Sequence, residues 1–347
     1  MSGVQTLTVG SDEGDQRLDR WFRRHFPLIS QGRIEKLCRK GEIRVDGGRV
    51  RASTRVAVGQ KVRVPPLGEA PPPAMAPRPR VSDADADMIR AAVIWRDDHL
   101  IVLNKPAGLP SQGGSGHLRH VDGLSEALRF GAEDKPRLVH RLDKDTSGVL
   151  VLARTRSAAA ALADILQDRA TRKIYWAAVA GVPKPRKGTI RWGLRKAGGH
   201  GPSGQGEKME ILHPDDIDGT TGAKRATTDY AVISALGTRA AWVALVPITG
   251  RTHQLRAHMA ALGNPIAGDG KYGGSGQENL GDGWGAGLGG GISRKLHLHA
   301  RSIAFTHPVT GRGLRFQAPL PEHMARTWDL VGWDATDAPD DPFLDEE

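Results

Sequence analysis

Residues 137–155 read R-L-V-H-R-L-D-K-D-T-S-G-V-L-V-L-A-R-T. A polar, charged run from His140 to Ser147 passes through Gly148 into an unbroken apolar run, Val149 to Ala153. That apolar run has the length of a short, buried β-strand. A polar loop feeding a core strand holds its side chains on a rigid support at the mouth of a cleft, and Asp143 is the candidate catalytic residue. A carboxylate so placed can be a nucleophile, a general base, a metal ligand or only a cap on a turn, so its neighbours along the chain decide.

Toward the C-terminus, Ser157 is expected to cap an alanine-rich helix that ends near Asp168, and R-K-I-Y-W-A-A-V-A-G (172–181) reads as a strand that puts Tyr175 beside the loop. Residues 195–226, rich in Gly, Lys and Asp and without clear periodicity, read as a surface excursion. T-D-Y-A-V-I (228–233) and A-A-W-V-A-L-V-P-I (240–248) predict two antiparallel strands. They lead into T-G-R-T-H-Q-L-R-A-H-M-A-A-L-G (249–263), a turn and then a helix that Gly263 ends. N-P-I-A-G-D-G-K-Y-G (264–273) follows, then a glycine-dense insertion over 273–291 and a late strand with a turn in K-L-H-L-H-A-R-S-I-A-F-T-H-P-V-T-G (295–311). The last 17 residues hold seven acids and no Lys or Arg, which predicts a disordered acidic tail over 331–347.

Toward the N-terminus, two strands around Arg96-Asp97-Asp98 precede the glycine-rich N-K-P-A-G-L-P-S-Q-G-G-S-G (104–116), which fits no P-loop. A proline-rich connector is expected over 67–87, so the chain divides into a module at 1–66 and a larger domain at 88–330. In the module, Leu18, Trp21, Phe22 and Phe26 recur at helical spacing; a second helix starts at Ser30 as N-cap, buries Ile34, Leu37 and Cys38 and stops at Gly41. Short alternating runs with the turn Asp46-Gly47 complete a small sheet. From Arg17 to Arg63, 14 Lys or Arg face four acids, a net of +10 that equals the formal charge of the whole chain. So concentrated a field suits a polyanion, most simply nucleic acid, with Arg33, Lys36, Arg39, Lys40 and Arg44 as candidate contacts.

Several chemistries are disfavoured. The 13 histidines and the lone Cys38 form no recognised metal-ligand set, and His297-x-His299 is a weak pair. Ser147 lacks the G-x-S-x-G elbow of serine hydrolases, and there is no dinucleotide fingerprint. No apolar run approaches a membrane span and no secretory signal opens the chain, so a cytoplasmic protein without membrane contact is expected.

In order, H-R-L-D-K-D-T-S-G-V-L-V-L-A, K-I-Y-W-A-A-V-A-G, T-G-R-T-H-Q-L-R-A-H, N-P-I-A-G-D-G-K-Y-G and L-H-A resemble the RluA-type pseudouridine synthases over about residues 92–320. R-L-D-R-W, the helix ending R-K-G, E-I-R-V-D-G and V-G-Q-K-V-R-V-P resemble the S4 RNA-binding module. Gln112, where the family pattern has histidine, is one departure. The resemblance implies an α+β fold: a mixed, largely antiparallel sheet in the catalytic domain and a small S4-like α/β module. It implies a cofactor-free, metal-free isomerase that turns uridine into pseudouridine in RNA, with 23S RNA of the large ribosomal subunit as the expected partner and a monomer as the expected state. It makes Asp143 the catalytic aspartate, Arg256 the arginine paired with it and Tyr175 the aromatic that packs on uracil. Arg141, Arg251 and His253 become candidates for phosphate contact or loop ordering. A non-catalytic RNA-binding or ribosome-assembly factor is the competing class, and a metal-dependent nuclease using Asp143 and Asp145 a third.

Overall fold

The computed structural model describes residues 3–11, 13–67, 81–113, 119–197, 208–273 and 291–343. The chain divides into two units, Met1–Arg80 and Val81–Glu347.

The first unit runs β1 (Gln5–Thr8), β2 (Gln16–Arg17), α1 (Leu18–His25), α2 (Gln31–Lys40), β3 (Arg44–Val45), β4 (Gly48–Arg49), β5 (Arg55–Val56) and β6 (Lys61–Val64). The helical spacing buries Leu18, Trp21 and Phe22 of α1 and Ile34 and Cys38 of α2 against Val45, Val56, Val62 and Val64. Each fully buried Leu, Ile or Phe contributes about 1.5–3 kcal/mol. The Ser30 hydroxyl accepts from the Arg33 N–H and Gly41 closes α2 in the left-handed region, as its sequence predicts. Asp46 and Gly47 both take positive φ, 47° and 79°, the turn that matches strand twist where β3 meets β4. The strand order is β1-β6-β3-β4, with β2 paired to β5.

The second unit runs α3 (Asp83–Ala91), β7 (Val93–Arg96), β8 (Leu100–Lys105), α4 (Val121–Leu124), β9 (Arg137–Leu138), β10 (Ser147–Ala153), α5 (Arg156–Ile165), β11 (Arg172–Ala180), β12 (Lys187–Lys196), β13 (Met209–Leu212), β14 (Lys224–Leu236), β15 (Ala240–Pro247), α6 (Gln254–Ala261), β16 (Leu298–Thr306), β17 (Gly313–Gln317) and α7 (Glu322–Val331). Eleven strands form one sheet in the order β13-β12-β14-β15-β11-β16-β10-β8-β7, with β9 on β10 and β17 on β16. Among the described residues its pairings are antiparallel except β10 with β16, which run parallel at Ser147↔His299 and Gly148↔Ala300. The sheet is covered on both faces. Ile174, Trp176 and Ala178 of β11 pack with Trp242 and with Met324 and Trp328 of α7. The alternate residues Ala177 and Val179 pack with Val243, Leu245 and the α6 residues Leu255 and Met259.

Four local expectations are corrected. Helix α5 is capped by Thr155, whose hydroxyl accepts from Ala158 N–H, and Ser157 lies in its first turn. The excursion read at 195–226 is partly regular: β12 reaches Lys196 and β13 pairs with it through Gly193↔Leu212 to Lys196↔Met209. The connector read to Asp87 gives way to α3 at Asp83, where Ser82 caps and Asp83 and Asp85 complement the positive helix start. The tail read as disordered is folded as far as residue 343. Trp333 joins Trp242 and Trp328 in the core, Asp341 takes both arms of Arg172 at 2.7 and 2.9 Å, and Asp340 meets Arg315 at 2.9 Å. Those acids find arginines on distant strands, a pairing no local composition reveals. Residues 68–80 of the connector, most of the 273–291 insertion and the G-S-G of the 104–116 loop lie outside the described residues.

Candidate active site

Asp143 lies on the loop that turns into β10, and that loop is held from several directions. Thr146 N–H donates to the Asp143 carbonyl at 3.2 Å, closing the turn. Lys105, fully buried at the end of β8, donates from Nζ to the carbonyls of Pro106 (2.9 Å), Leu109 (2.8 Å) and Lys144 (3.1 Å). Burial pulls this amine down to about 7 against the opposing pull of Asp145 and Asp143. Three carbonyl acceptors require three N–H donors, so the geometry calls for the ammonium form. Ser111 Oγ donates to the Leu142 carbonyl at 2.7 Å and accepts the Leu142 N–H at 3.0 Å.

The strand end is equally constrained. Gly148 has φ 109°, and a Cβ there would lie 2.2 Å from the Ala300 carbonyl oxygen, so glycine is what lets β10 lie against β16 directly after the loop. Ser147 Oγ lies 2.9 Å from His299 Nδ1, and His299 Nε2 lies 3.2 Å from the Ala318 carbonyl. A carbonyl can only accept, so Nε2–H donates to it and Nδ1 receives the serine hydroxyl. Ser147 is thus tied to a side chain of β16. His140 Nε2 accepts Val151 N–H at 2.9 Å, and burial pushes this imidazole down to about 3, which keeps it neutral and structural.

Helix α6 brings the second group of residues. The Gln254 carboxamide locks the preceding turn: Oε1 accepts from Thr249 Oγ1 (2.7 Å) and Arg251 N–H (3.1 Å), and Nε2 donates to the Thr227 carbonyl (2.8 Å) and Thr228 Oγ1 (2.9 Å). His253, at the helix start, takes φ 52°, a left-handed conformation in which His is among the more tolerated non-glycine residues. Arg256 Nη1 and His253 Nε2 each lie 3.9 Å from Asp143 Oδ2. The close partner of Arg256 is Asp269, reached by Nε and Nη2 at 2.7 Å each. Burial works against the Arg256 charge, but the bonds to Asp269 outweigh it and raise the guanidinium above its usual range. Thus the arginine expected to pair with Asp143 is brought to it, while its bidentate fork belongs to a carboxylate of the 264–273 motif. Asp269 and Lys105 are site residues that the sequence reading did not assign; the motifs N-P-I-A-G-D-G-K-Y-G and N-K-P were the available signals.

Asp143, Leu142, Tyr175, Leu255, Arg256 and Leu298 line a cleft of ≈ 920 Å³, together with the exposed Arg141, Arg169, Arg191 and Arg251. Burial, then the Asp143 charge, push the Tyr175 phenol above its ordinary range, so it keeps its proton and offers mainly an aromatic face. His253 is not at the rim: its side chain is 10% exposed and faces Asp143. Arg251 donates to the Arg225 carbonyl at 3.3 Å. In the first unit Lys36, Arg39 and Lys40 are exposed along α2, whereas Arg33 donates to the Leu67 carbonyl and Arg44 to those of Gly41 and Gly47. His297 and His299 bond in different directions, His297 Nε2 to Thr327 Oγ1 at 2.8 Å, and do not act as a pair.

Residues 99–261 match the family model described as RNA pseudouridylate synthase, and residues 16–62 match that of the S4 domain. The chain is 34% identical over 334 residues to ribosomal large subunit pseudouridine synthase C of Salmonella typhi, a match covering 94% of this chain and 97% of the relative. The protein of the same name from Escherichia coli K12 is 35% identical over 93% of this chain and 95% of its own. Among solved structures, human RNA pseudouridylate synthase domain containing 4 is similar with a TM-score of 0.57 and 28% identity, covering 71% of this chain and 95% of that one. With a third of its residues identical over more than nine-tenths of its length, the chain belongs to the RNA pseudouridylate synthase family: it is an isomerase that makes pseudouridine in RNA, with an S4 domain at its N-terminus.

Proposed function

We propose that this enzyme converts uridines of large-subunit (23S) ribosomal RNA to pseudouridine, with Asp143 as the catalytic aspartate. The RNA target follows from relatives named for the large ribosomal subunit, similar across both the S4 and the synthase segments. The observation that carries the Asp143 assignment is its place in the cleft, on a braced loop, with Arg256 Nη1 and His253 Nε2 converging on one carboxyl oxygen.

The target nucleotide leaves its stack, at a cost of a few kcal/mol, to enter the cleft. Asp143 then acts at the sugar C1′, by attack or by assisting departure of the base. The N1–C1′ bond breaks, the uracil turns, the C5–C1′ bond forms, the C5 proton passes to water and N1 takes up a proton, so the product is an isomer of uridine. Tyr175 supplies a face that tolerates every orientation of the turning base, worth roughly 1–3 kcal/mol. Arg256, held by Asp269, keeps a positive charge beside the carboxyl. Lys36, Arg39 and Lys40 supply sequence-independent contacts to phosphate.

Release of tritium from RNA carrying [5-³H]uridine tests the assignment. Asp143→Asn is expected to abolish release and leave RNA affinity within about twofold of wild type, since the change replaces one acidic group and removes no cation that contacts phosphate. Full activity of Asp143→Asn would refute the assignment.

A further inference from the structure

Donor and acceptor accounting around Tyr272 favours one protonation pattern of His253. The Met209 backbone N–H can only donate, and it occupies the Tyr272 hydroxyl oxygen at 2.9 Å. Burial, the largest influence, holds the Tyr272 phenol above its ordinary range, so the hydroxyl keeps its hydrogen and needs an acceptor. His253 Nδ1 lies 3.0 Å away and can be that acceptor. A neutral imidazole that accepts at Nδ1 carries its proton on Nε2, and Nε2 is the atom 3.9 Å from Asp143 Oδ2. Burial also lowers the His253 pKa, which favours the neutral ring this accounting needs. The backbone alone does not demand histidine at φ 52°, because asparagine is enriched there too. What asparagine cannot do is bond Tyr272 with one end and present a donor to Asp143 with the other.

We infer that Tyr272 and His253 are positioning residues: the Tyr272 hydroxyl holds His253 in its Nε2–H tautomer, and His253 aims that N–H at the carboxyl of Asp143. The same hydroxyl receives the first amide of β13, so docking of the β12–β13 hairpin is tied to the orientation of the catalytic group. A separation of 3.9 Å is longer than a hydrogen bond, and the contact tightens when a bound nucleotide excludes water. This inference rests on the reading of Asp143 given above.

Nitrogen-15 NMR of the full-length protein with labelled histidine, the His253 signals identified by their loss in His253→Asn, reads the tautomer without reference to activity. Protonated Nε2 and bare Nδ1 are expected in wild type, and a mixture of tautomers in Tyr272→Phe. Protonation on Nδ1 in wild type would overturn the inference. In turnover assays His253→Gln, whose amide places an N–H near the Nε2 position, is expected to keep more activity than His253→Asn, which reaches only the Nδ1 position. His253→Asn is expected to lose roughly 10- to 100-fold in kcat with RNA Kd within about twofold, the size of effect of misplacing a reacting group by about 1 Å. If Asn equals or exceeds Gln, the donor to Asp143 has no role and the inference fails. If instead Asp143→Asn proves active, the catalytic assignment falls while the tautomer result stands on its own.

Discussion

The Arg256 guanidinium is shared unequally between two carboxyl groups, giving two bonds of 2.7 Å to Asp269 and leaving Nη1 3.9 Å from Asp143. One carboxylate anchors the charge, and the other lies within 3.9 Å of it. Arg256 and Asp269 side chains are 5% and 1% exposed, so removing one partner strands a buried charge. Asp269→Ala is expected to lower unfolding free energy by roughly 3–5 kcal/mol in denaturant titration; a loss under about 1 kcal/mol would show that Arg256 does not depend on this anchor. That Asp143, Tyr175 and Arg256 share one cleft was legible in the sequence, because each lies in a compact motif of recognisable order. Asp269 and Lys105 were not, because their roles arise from contacts across 13 and 39 positions that folding alone brings together. His253 was legible as a polar residue of the site, yet its neighbour is the carboxyl and not the rim.

Strand β10 carries the loop, and its junction with β16 leaves room only for a glycine. Gly148→Ala would force a Cβ to within 2.2 Å of a backbone carbonyl at a φ that side chains rarely adopt. A loss of roughly 3 kcal/mol or more in stability is expected, with activity falling alongside. Gly313→Ala is the matched control, since nothing lies within 4 Å of a Cβ at that strand position; equal melting temperatures for the two variants would contradict this account of the junction. The strand was readable from five consecutive apolar residues, and α2 and the β3–β4 turn from Ser30, Gly41, Asp46 and Gly47, all local signals. Thr155 displaced Ser157 as the cap of α5 because an extended backbone at 155 lets its hydroxyl reach Ala158 N–H. β13 was hidden because four residues, M-E-I-L, are too few to declare a period when their pairing partner precedes them by more than ten positions.

For the whole molecule, charge and burial make separate predictions. Converting Lys36, Arg39 and Lys40 together to glutamine is expected to flatten the dependence of log K on log salt by about 2–3, at roughly 0.7–0.9 per lost phosphate contact; an unchanged slope would move the RNA-binding face off α2. Burial holds His258, His297 and His299 neutral down to about 4 and His140 to about 3. An unfolded chain protonates its imidazoles near about 6.5, so below that pH the unfolded state binds more protons and stability declines. The stabilisation is therefore complete above pH ~6.5 and is lost progressively as pH falls toward 4. A denaturation midpoint that did not move between pH 7 and pH 4.5 would be inconsistent with neutral buried histidines. The central claim is tested most directly by mapping pseudouridines in large-subunit ribosomal RNA from cells that lack the protein, complemented with either wild type or Asp143→Asn. Wild type is expected to restore the missing sites and Asp143→Asn to restore none; restoration by both, or no missing site in the unmodified deletion, would contradict the account.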